Sequence, residues 1–327
     1  VQNMKEIRWG IVGCGNVTEV KSGPAFNTVA GSRLVAVMRR DGEKARDYAQ
    51  RHGVPKWYAN ADDLINDPEV NAVYIATPPG SHGEYTLRVA EAGKPVYVEK
   101  PMARTFSECN EMIIGCEKAG VLLFVAYYRR RLPAFLKVKE LVEAGAIGEI
   151  RFVSIALILP PRSEDLRRES LPWRVKPEIA GGGYFYDLAS HQLDVLDYIF
   201  GPIDSAQGQS ANQAGLYDAE DIVAANFKFK SGVMGAGVWC FTAAERASCD
   251  LIEITGSKGR ISLPTFARGP VRLETAAGVE EFDLPPPVNI QQPLIQTIVD
   301  ELQGKGKCPS TGITAARTNW VMEEVLR

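Results

Sequence analysis

The chain has 327 residues, too many for one ordinary core and too few for three, so its length predicts two domains. Hydrophobic residues make up 45% and charged residues 24%, the balance of a globular protein and not of a disordered one. Lys and Arg number 37 against 40 Asp and Glu, a formal charge of −3 that argues against a dedicated nucleic-acid binder.

Ile7–Val12 is a compact apolar run ending in Gly13-Cys14-Gly15, the pattern of a buried strand entering a tight turn. Leu34–Met38 is a second strand, and Gly42–His52 before Gly53 is a helix with a glycine stop. Ala72–Ala76 is a third strand, closed by Thr77-Pro78-Pro79-Gly80, and Glu84–Ala92 a helix stopped by Gly93. Pro95–Val98 and Leu122–Ala126 are further strands, separated by a helix that opens on the capping box Thr105-x-x-Glu108. Regular alternation of strand and helix predicts a doubly wound parallel sheet, a Rossmann-type α/β domain over residues 1–126.

After about residue 127 the pattern changes. Pro133–Ala144 is helical, Ile150–Leu159 is a long strand, and Tyr184–Phe200 is a helix behind three glycines. Ile222–Phe229, Val233–Phe241, Leu251–Thr255, Val271–Thr275 and Val279–Leu284 then succeed one another as strands joined by short turns. Gln292–Gln303 and Thr311–Leu326 are helical again, after the rigid connector Pro285-Pro286-Pro287. Residues 127–327 are therefore expected to form an α+β domain with one open, mainly antiparallel sheet.

Apolar runs such as Ile155–Leu159 fall far short of the ~20 residues that span a bilayer. No charged-then-apolar signal segment opens the chain, and Val1-Gln2-Asn3 ahead of Met4 reads as a processed or cloned start. Cys14, Cys109, Cys116, Cys240, Cys249 and Cys308 are scattered without a C-x-x-C pair, as expected of reduced thiols in a cytoplasmic protein. No membrane partner is expected.

Gly13-Cys14-Gly15-Asn16-Val17-Thr18 stands where a phosphate-binding turn belongs, with Gly13 for the tight turn and Gly15 for backbone approach to a pyrophosphate. Thr18 replaces the usual third Gly or Ala, which predicts a helix set slightly farther from its strand. The second strand ends in Met38-Arg39-Arg40, and the nearest carboxylate, Asp41, comes only in the turn. Guanidinium groups suit the 2′-phosphate of NADP, whereas NAD sites place a carboxylate there; two merely solvated arginines are the plain alternative.

Glu99-Lys100-Pro101 follows the fourth strand, at the edge where ligands of such sheets bind, and the proline is a candidate cis residue. Lys100 can lower the cost of a substrate alkoxide, or be an ordinary surface charge. Asp187 and His191 lie four residues apart on a helix face, so the carboxylate can orient the ring for general acid–base work. A surface ion pair or a core histidine is the competing reading. Gly181–Gly183 ahead of them are expected to admit a ligand closely. His52 ends a charged helix, and no cysteine or histidine spacing matches a metal site. Trp173-Arg174 can stack and bind an anion, and Tyr127-Tyr128-Arg129-Arg130-Arg131 fits packing at a domain junction as well as ligand contact.

These pieces together resemble the glucose–fructose oxidoreductase, inositol dehydrogenase and rhizopine catabolism (Gfo/Idh/MocA) family across essentially the whole chain. The resemblance rests on Gly13–Thr18, Ala76-Thr77-Pro78 with His82, Glu99-Lys100-Pro101, Gly145-x-Ile147-Gly148-Glu149-Ile150, and Gly181-Gly182-Gly183-x-x-x-Asp187-x-x-x-His191. It implies an N-terminal Rossmann domain and a C-terminal sheet domain that mediates homodimers or homotetramers. The implied activity is NAD(P)-dependent oxidoreduction of a sugar, cyclitol or related polyhydroxylated compound. It implies Lys100 as catalytic lysine, Asp187 and His191 as the Asp/His pair, and cofactor contacts at Thr77, Pro78, His82, Glu99 and Lys100. Trp173-Arg174 resembles a pair that reaches the nicotinamide in the anhydrofructose-reductase branch, which prefers NADP in agreement with Arg39 and Arg40. The rivals are an NAD-dependent inositol-type or dihydrodiol dehydrogenase, a glycosidase working by transient oxidation with tightly held NAD, and a non-catalytic cofactor-binding regulator of the same fold.

Overall fold

The computed structural model describes residues 4–327, so the start at Val1-Gln2-Asn3 lies outside the described residues. The chain divides into two compact units: one runs to Tyr128 and takes in Pro287–Ala316, the other comprises Arg129–Pro286 and Arg317–Arg327.

The first unit is built in the order β1 (Ile7–Val12), α1 (Asn16–Val20), α2 (Ala25–Thr28), β2 (Ser32–Met38), α3 (Gly42–His52), β3 (Lys56–Tyr58), α4 (Ala61–Ile65), β4 (Ala72–Ile75), α5 (His82–Glu91), β5 (Val96–Val98), α6 (Phe106–Ala119) and β6 (Leu123–Val125). Its six strands pair in parallel in the order β3-β2-β1-β4-β5-β6. Every residue of β4, β5 and β6 is buried, as a parallel sheet covered on both faces requires. The strand order reverses beside β1, and ligands of doubly wound sheets bind outside the carboxyl ends of the strands at that point.

Local chemistry explains the helix ends. Asp41 caps α3 by accepting the Lys44 amide at 3.2 Å, and Gly53 ends it in the left-handed conformation, φ +65°. Thr105 caps α6 by accepting the Glu108 amide at 3.1 Å. The expected capping box is modified, since Glu108 reaches back to the Arg104 amide at 2.9 Å and pairs with that guanidinium.

The second unit contains α7 (Pro133–Glu143), β7 (Ile150–Ile158), α8 (Pro177–Ala180), a π-helical turn (Phe185–Ala189), α9 (Ser190–Phe200), β8 (Ile203–Ala211), β9 (Ile222–Phe229), β10 (Met234–Cys240), β11 (Cys249–Gly256), β12 (Gly259–Leu263), β13 (Val271–Thr275) and β14 (Gly278–Phe282). The strands form one sheet in the order β14-β13-β12-β11-β7-β10-β9-β8. β7 enters between β10 and β11, pairing parallel with the first and antiparallel with the second. β9 and β10 alternate buried and exposed residues, so one face packs on its own unit and the other is open.

The expectation of a second domain running unbroken over residues 127–327 is corrected by the segment after the triple proline. That segment carries α10 (Gln292–Leu302) and the start of α11 (Gly312–Leu326). α10 packs against α2 and buries Leu294, Ile295, Ile298, Val299 and Leu302 in the first unit. Ser310 donates its hydroxyl to the Val125 carbonyl at 2.7 Å and its own carbonyl accepts the Val125 amide at 3.2 Å, which extends the edge beside β6. The boundary falls at Tyr128/Arg129, within the aromatic and arginine run. Among the described residues no helix is long and apolar enough to cross a membrane, and all six cysteines are free thiols.

Candidate active site

In the first unit the turn after β1 is folded by its own backbone. The amides of Gly13 and Cys14 both donate to the Met38 carbonyl, at 2.9 and 3.0 Å. Gly13 has φ +92°, and a Cβ there would stand 2.6 Å from Thr77 Cγ2, so only glycine fits. A Cβ on Gly15 would meet nothing closer than 3.9 Å, which leaves open space over the turn. The amides of Asn16 and Val17, first in α1, have no carbonyl one turn behind them and are available to an anion. The turn, its open space and the reversal of strand order fit a dinucleotide's pyrophosphate.

Thr18 turns its hydroxyl back on the loop, accepting from the Gly15 amide at 3.0 Å and donating to the Gly15 carbonyl at 2.8 Å. Its carbonyl accepts the Tyr48 hydroxyl at 2.9 Å, which ties α1 to α3. Glu19 extends this tie by accepting Arg51 through both oxygens at 2.9 Å and meeting His52 at 2.7 Å. The Arg51 guanidinium chiefly, with His52 adding, holds the Glu19 carboxyl down to about 2. His52 is thus a partner of the phosphate-turn helix. Burial of Cys14 pushes its thiol up to about 11, so it stays neutral in the turn.

At the end of β2, Arg39 is half-buried and Arg40 exposed. Asp41 is committed to the α3 cap and to an ion pair with Lys44 at 3.2 Å. Its carboxyl is lowered by the Lys44 amide first and the Lys44 side chain second.

The strand-end turns after β4 and β5 are joined by His82. The ring is fully buried, with Nε2 2.7 Å from the Thr77 carbonyl and Nδ1 3.1 Å from Met102 and 3.2 Å from Pro101 carbonyls. Burial lowers its pKa against the pull of those carbonyls. His82 therefore acts as a tie between two turns. Ser81 fastens the first turn, donating to Thr77 Oγ1 at 2.8 Å and to the Pro78 carbonyl at 3.0 Å.

The Lys100-Pro101 peptide is cis, and Lys100 is half-buried at the end of β5. Glu99 points inward. It accepts from the Tyr74 hydroxyl, from Gln291 Nε2 at 2.6 Å and from the Lys100 amide at 3.2 Å. Gln291 in turn accepts the Tyr97 hydroxyl at 2.7 Å. Glu99 thus sets the backbone from below, through a residue that sequence reading did not single out because it lies 192 positions away.

The second unit assembles side chains instead. Asp187 lies in the π-helical turn and His191 in the first turn of α9, where the ring is buried. π turns inside helices recur at functional sites because the extra residue re-aims side chains. Arg174 places Nε 3.3 Å from Asp187 Oδ2 and lays its guanidinium 4.5 Å over Trp173. Arg174 is therefore an ion-pair partner of the carboxylate assigned to His191, which sequence spacing gave no sign of. The glycines before the π turn serve internal packing: a Cβ on Gly182 would strike the Tyr186 ring at 2.3 Å, and one on Gly183 the Ala219 Cβ at 2.5 Å. Packing within the unit is therefore one reason that Gly182 and Gly183 carry no side chain.

Behind His191 lies a buried polar lattice. Gln192 accepts the Trp239 indole at 2.7 Å and donates to Thr265 Oγ1 at 2.9 Å. Arg130 meets Asp194 through two nitrogens at 2.8 and 2.7 Å, and Asp197 at 3.3 Å, while Arg317 grips Asp197 at 2.8 and 2.6 Å. Burial works against the Arg130 charge, but the two carboxylates outweigh it and raise its pKa. Arg129 and Arg130 are accordingly framework residues of the second unit. Tyr127 is buried in the core of the first.

Comparisons with known proteins fall on the same two regions. Residues 7–127 match the model of the GFO_IDH_MocA oxidoreductase family, NAD-binding Rossmann fold, and residues 135–262 match the GFO/IDH/MocA C-terminal domain. Oxidoreductase P35 of Formosa agariphila is 40% identical over 319 residues, covering 97% of each chain. The 1,5-anhydro-D-fructose reductase of Ensifer adhaerens is 28% identical, over 93% of this chain and 91% of its own. Among solved structures, levoglucosan dehydrogenase in complex with NADH superposes with a TM-score of 0.88 at 22% identity, covering 98% of this chain and 96% of that one, which is a likeness of fold.

Proposed function

The chain belongs to the GFO/IDH/MocA family of NAD(P)-dependent oxidoreductases, and on that premise we propose an NADP-preferring enzyme acting on a sugar, cyclitol or related hydroxyl or carbonyl compound. The observation that carries the cofactor preference is the end of β2. Asp41, the carboxylate nearest an adenosine ribose, is spent on the α3 cap, while Arg39 and Arg40 stand free of that duty. The sugar or cyclitol class is supported by the names of relatives such as 1,5-anhydro-D-fructose reductase.

A bound nicotinamide supplies the hydride donor or acceptor; the chain's residues bind, orient and move the proton. Gly13, Gly15, Asn16 and Val17 offer main-chain donors to the pyrophosphate, and Thr77, Pro78, Glu99 and Lys100 shape the strand ends beside it. Trp173 and Arg174 attend the nicotinamide end. His191 exchanges the hydroxyl proton, Asp187 orients it with Arg174 as the carboxylate's counter-charge, and Lys100 stabilises the developing alkoxide. A homo-oligomer formed through the open face of the second unit's sheet completes the proposal. Phe152 and Met234 are exposed neighbours in register on β7 and β10, with exposed Val238 farther along the same face.

The test is an absorbance screen of sugars, cyclitols and small dicarbonyls with both cofactors, alongside titration of NADPH and NADH. Turnover of a ring polyol with at least tenfold tighter NADPH binding is the expected result. Equal affinity for both cofactors overturns the preference, and turnover of none of the panel overturns the reaction.

A further inference from the structure

Phe266 is an exposed aromatic on a loop that is fixed from three directions. The Asp250 carboxylate, on β11, accepts the amides of Thr265, Phe266 and Ala267 at 2.9, 2.6 and 2.7 Å. Arg129 donates from Nε and Nη2 to the Thr265 carbonyl at 3.3 and 3.2 Å. Gln192, the neighbour of His191, holds the Thr265 hydroxyl. Loop tips are ordinarily the mobile parts of a fold, yet this one has its main chain bound through three consecutive residues. The residue so held keeps 37% of its surface exposed.

Two side chains adjoin the ring. The Arg129 guanidinium, itself buried, lies over one face with its central carbon 4.5 Å from the centroid. The His191 ring stands edge-on, 5.9 Å between centroids at 71°. Arg129 thus covers one face of the ring, and a residue with more than a third of its surface open stands next to the imidazole. Core packing does not require this exposure, and the cation–π contact uses only the covered side.

We propose that Phe266 is a substrate-stacking residue, packing against the C–H face of a pyranose or cyclitol ring whose rim hydroxyl is served by His191. Such rings carry hydroxyl groups around the rim and present patches of C–H on a face, which an aromatic face covers without stranding a polar group. Seating that face on a rigid ring leaves a rim hydroxyl beside the imidazole, and the contact holds the ring equally in the bound substrate and at the transition state. An open-chain polyol has no such face and gains little from Phe266. This inference rests on the proposed sugar or cyclitol reading and adds to it the face by which the substrate is held.

The experiment compares wild type with Phe266→Ala, Phe266→Leu and Phe266→Tyr as the intact chain, at saturating NADP+ for hydroxyl substrates and saturating NADPH for carbonyl substrates. Steady-state KM and kcat are measured for the best cyclic substrate and for glycerol, and saturation-transfer NMR is recorded with glucose and myo-inositol. The Ala and Leu variants are expected to raise KM for the ring substrate roughly tenfold, with kcat within a few-fold and the C–H saturation signals lost. Tyr, which keeps the ring, should restore both, and glycerol should be indifferent. Wild-type KM and saturation in the Leu variant overturn the proposal, as does an altered oligomeric state of the Ala variant with unchanged substrate affinity. If wild type turns over no sugar, the proposed reaction fails on its own, and the NMR still decides here. Saturation lost on Phe266→Leu supports stacking; saturation retained, or absent from wild type, overturns it.

Discussion

In the first unit the groups proposed to meet a ligand come largely from the main chain: the turn amides after β1, and strand ends shaped by Thr77, Pro78 and the Lys100-Pro101 peptide. Side chains there work from below, as His82 does between two turns and Glu99 does beside Tyr74 and Gln291. In the second unit the relation is reversed. The proposed groups Asp187, His191, Arg174 and Phe266 are side chains, and a lattice of Arg129, Gln192 and Asp250 holds the loop that carries Phe266, while Arg130 pairs with Asp194 on the helix of His191. Main-chain donors suit a part common to many ligands, such as a pyrophosphate, because their geometry follows from the turn alone. Side chains suit a reacting centre, where proton affinity and shape must be set residue by residue.

The sharpest way to break this contrast is His191→Ala. If the second unit supplies the proton-transfer group, turnover falls roughly a hundredfold or more while NADPH affinity is unchanged within about twofold, read by steady-state kinetics and fluorescence titration. A rate within a few-fold of wild type removes His191 from that role.

Arg130→Met probes the lattice. It leaves Asp194 buried without its bidentate partner, so unfolding should become easier by about 3–5 kcal/mol, measured by urea denaturation. A midpoint equal to wild type would mean that the lattice contributes no stability.

Arg39→Asp addresses the first unit, where side-chain charge is expected to modulate binding that the backbone already provides. A charge-assisted contact to a 2′-phosphate is worth ~1.5–3 kcal/mol, so NADPH should weaken by about one to two decades. NADH should be unchanged or tighter, and the salt dependence of NADPH binding should flatten. Equal loss for both cofactors would point to a disturbed fold of the β2 end instead.

The smallest effect is expected at Glu19. Its folded-state carboxyl sits at about 2, below the ordinary 4.5, so its pairing with Arg51 and His52 stabilises the protein above pH 4.5 and is lost as pH falls toward 2. The side chain is one-third exposed, which limits the contribution to about 1 kcal/mol or less. Glu19→Gln should flatten the acid limb of a stability–pH curve across that window, measured by thermal melts; an unchanged limb would show that the α1–α3 tie carries no stability.

Local chemistry makes much of the first unit legible in its sequence. The span of α3 was readable to the residue because an N-cap and a left-handed glycine bound it, and Gly13 announced a turn that only glycine can make. β3 and α4 went unread, since Lys56–Tyr58 and Ala61–Ile65 are too short to show a period. In the second unit, β10 and β11 are consecutive strands and would be read as a hairpin, yet β7 lies between them. No local signal marks such an insertion, because the pairing is chosen by burial of a whole face.

The candidate site divides along the same line. Gly15, Lys100, Asp187 and His191 could be named from turn chemistry, strand ends, helix spacing and family resemblance. Gln291 beneath Glu99 and Phe266 beside His191 could not, and Arg174, named for the nicotinamide, gave no sign of its pairing with Asp187. Sequence by itself determined the elements whose causes lie within about one helical turn: caps, glycine turns, and alternating or continuous apolar strands. Tertiary structure alone decided the strand order, the return of Pro287–Ala316 to the first unit, and the partners of each functional side chain. Those choices minimise exposed apolar surface and unpaired polar groups over the whole chain, a sum that no short window contains.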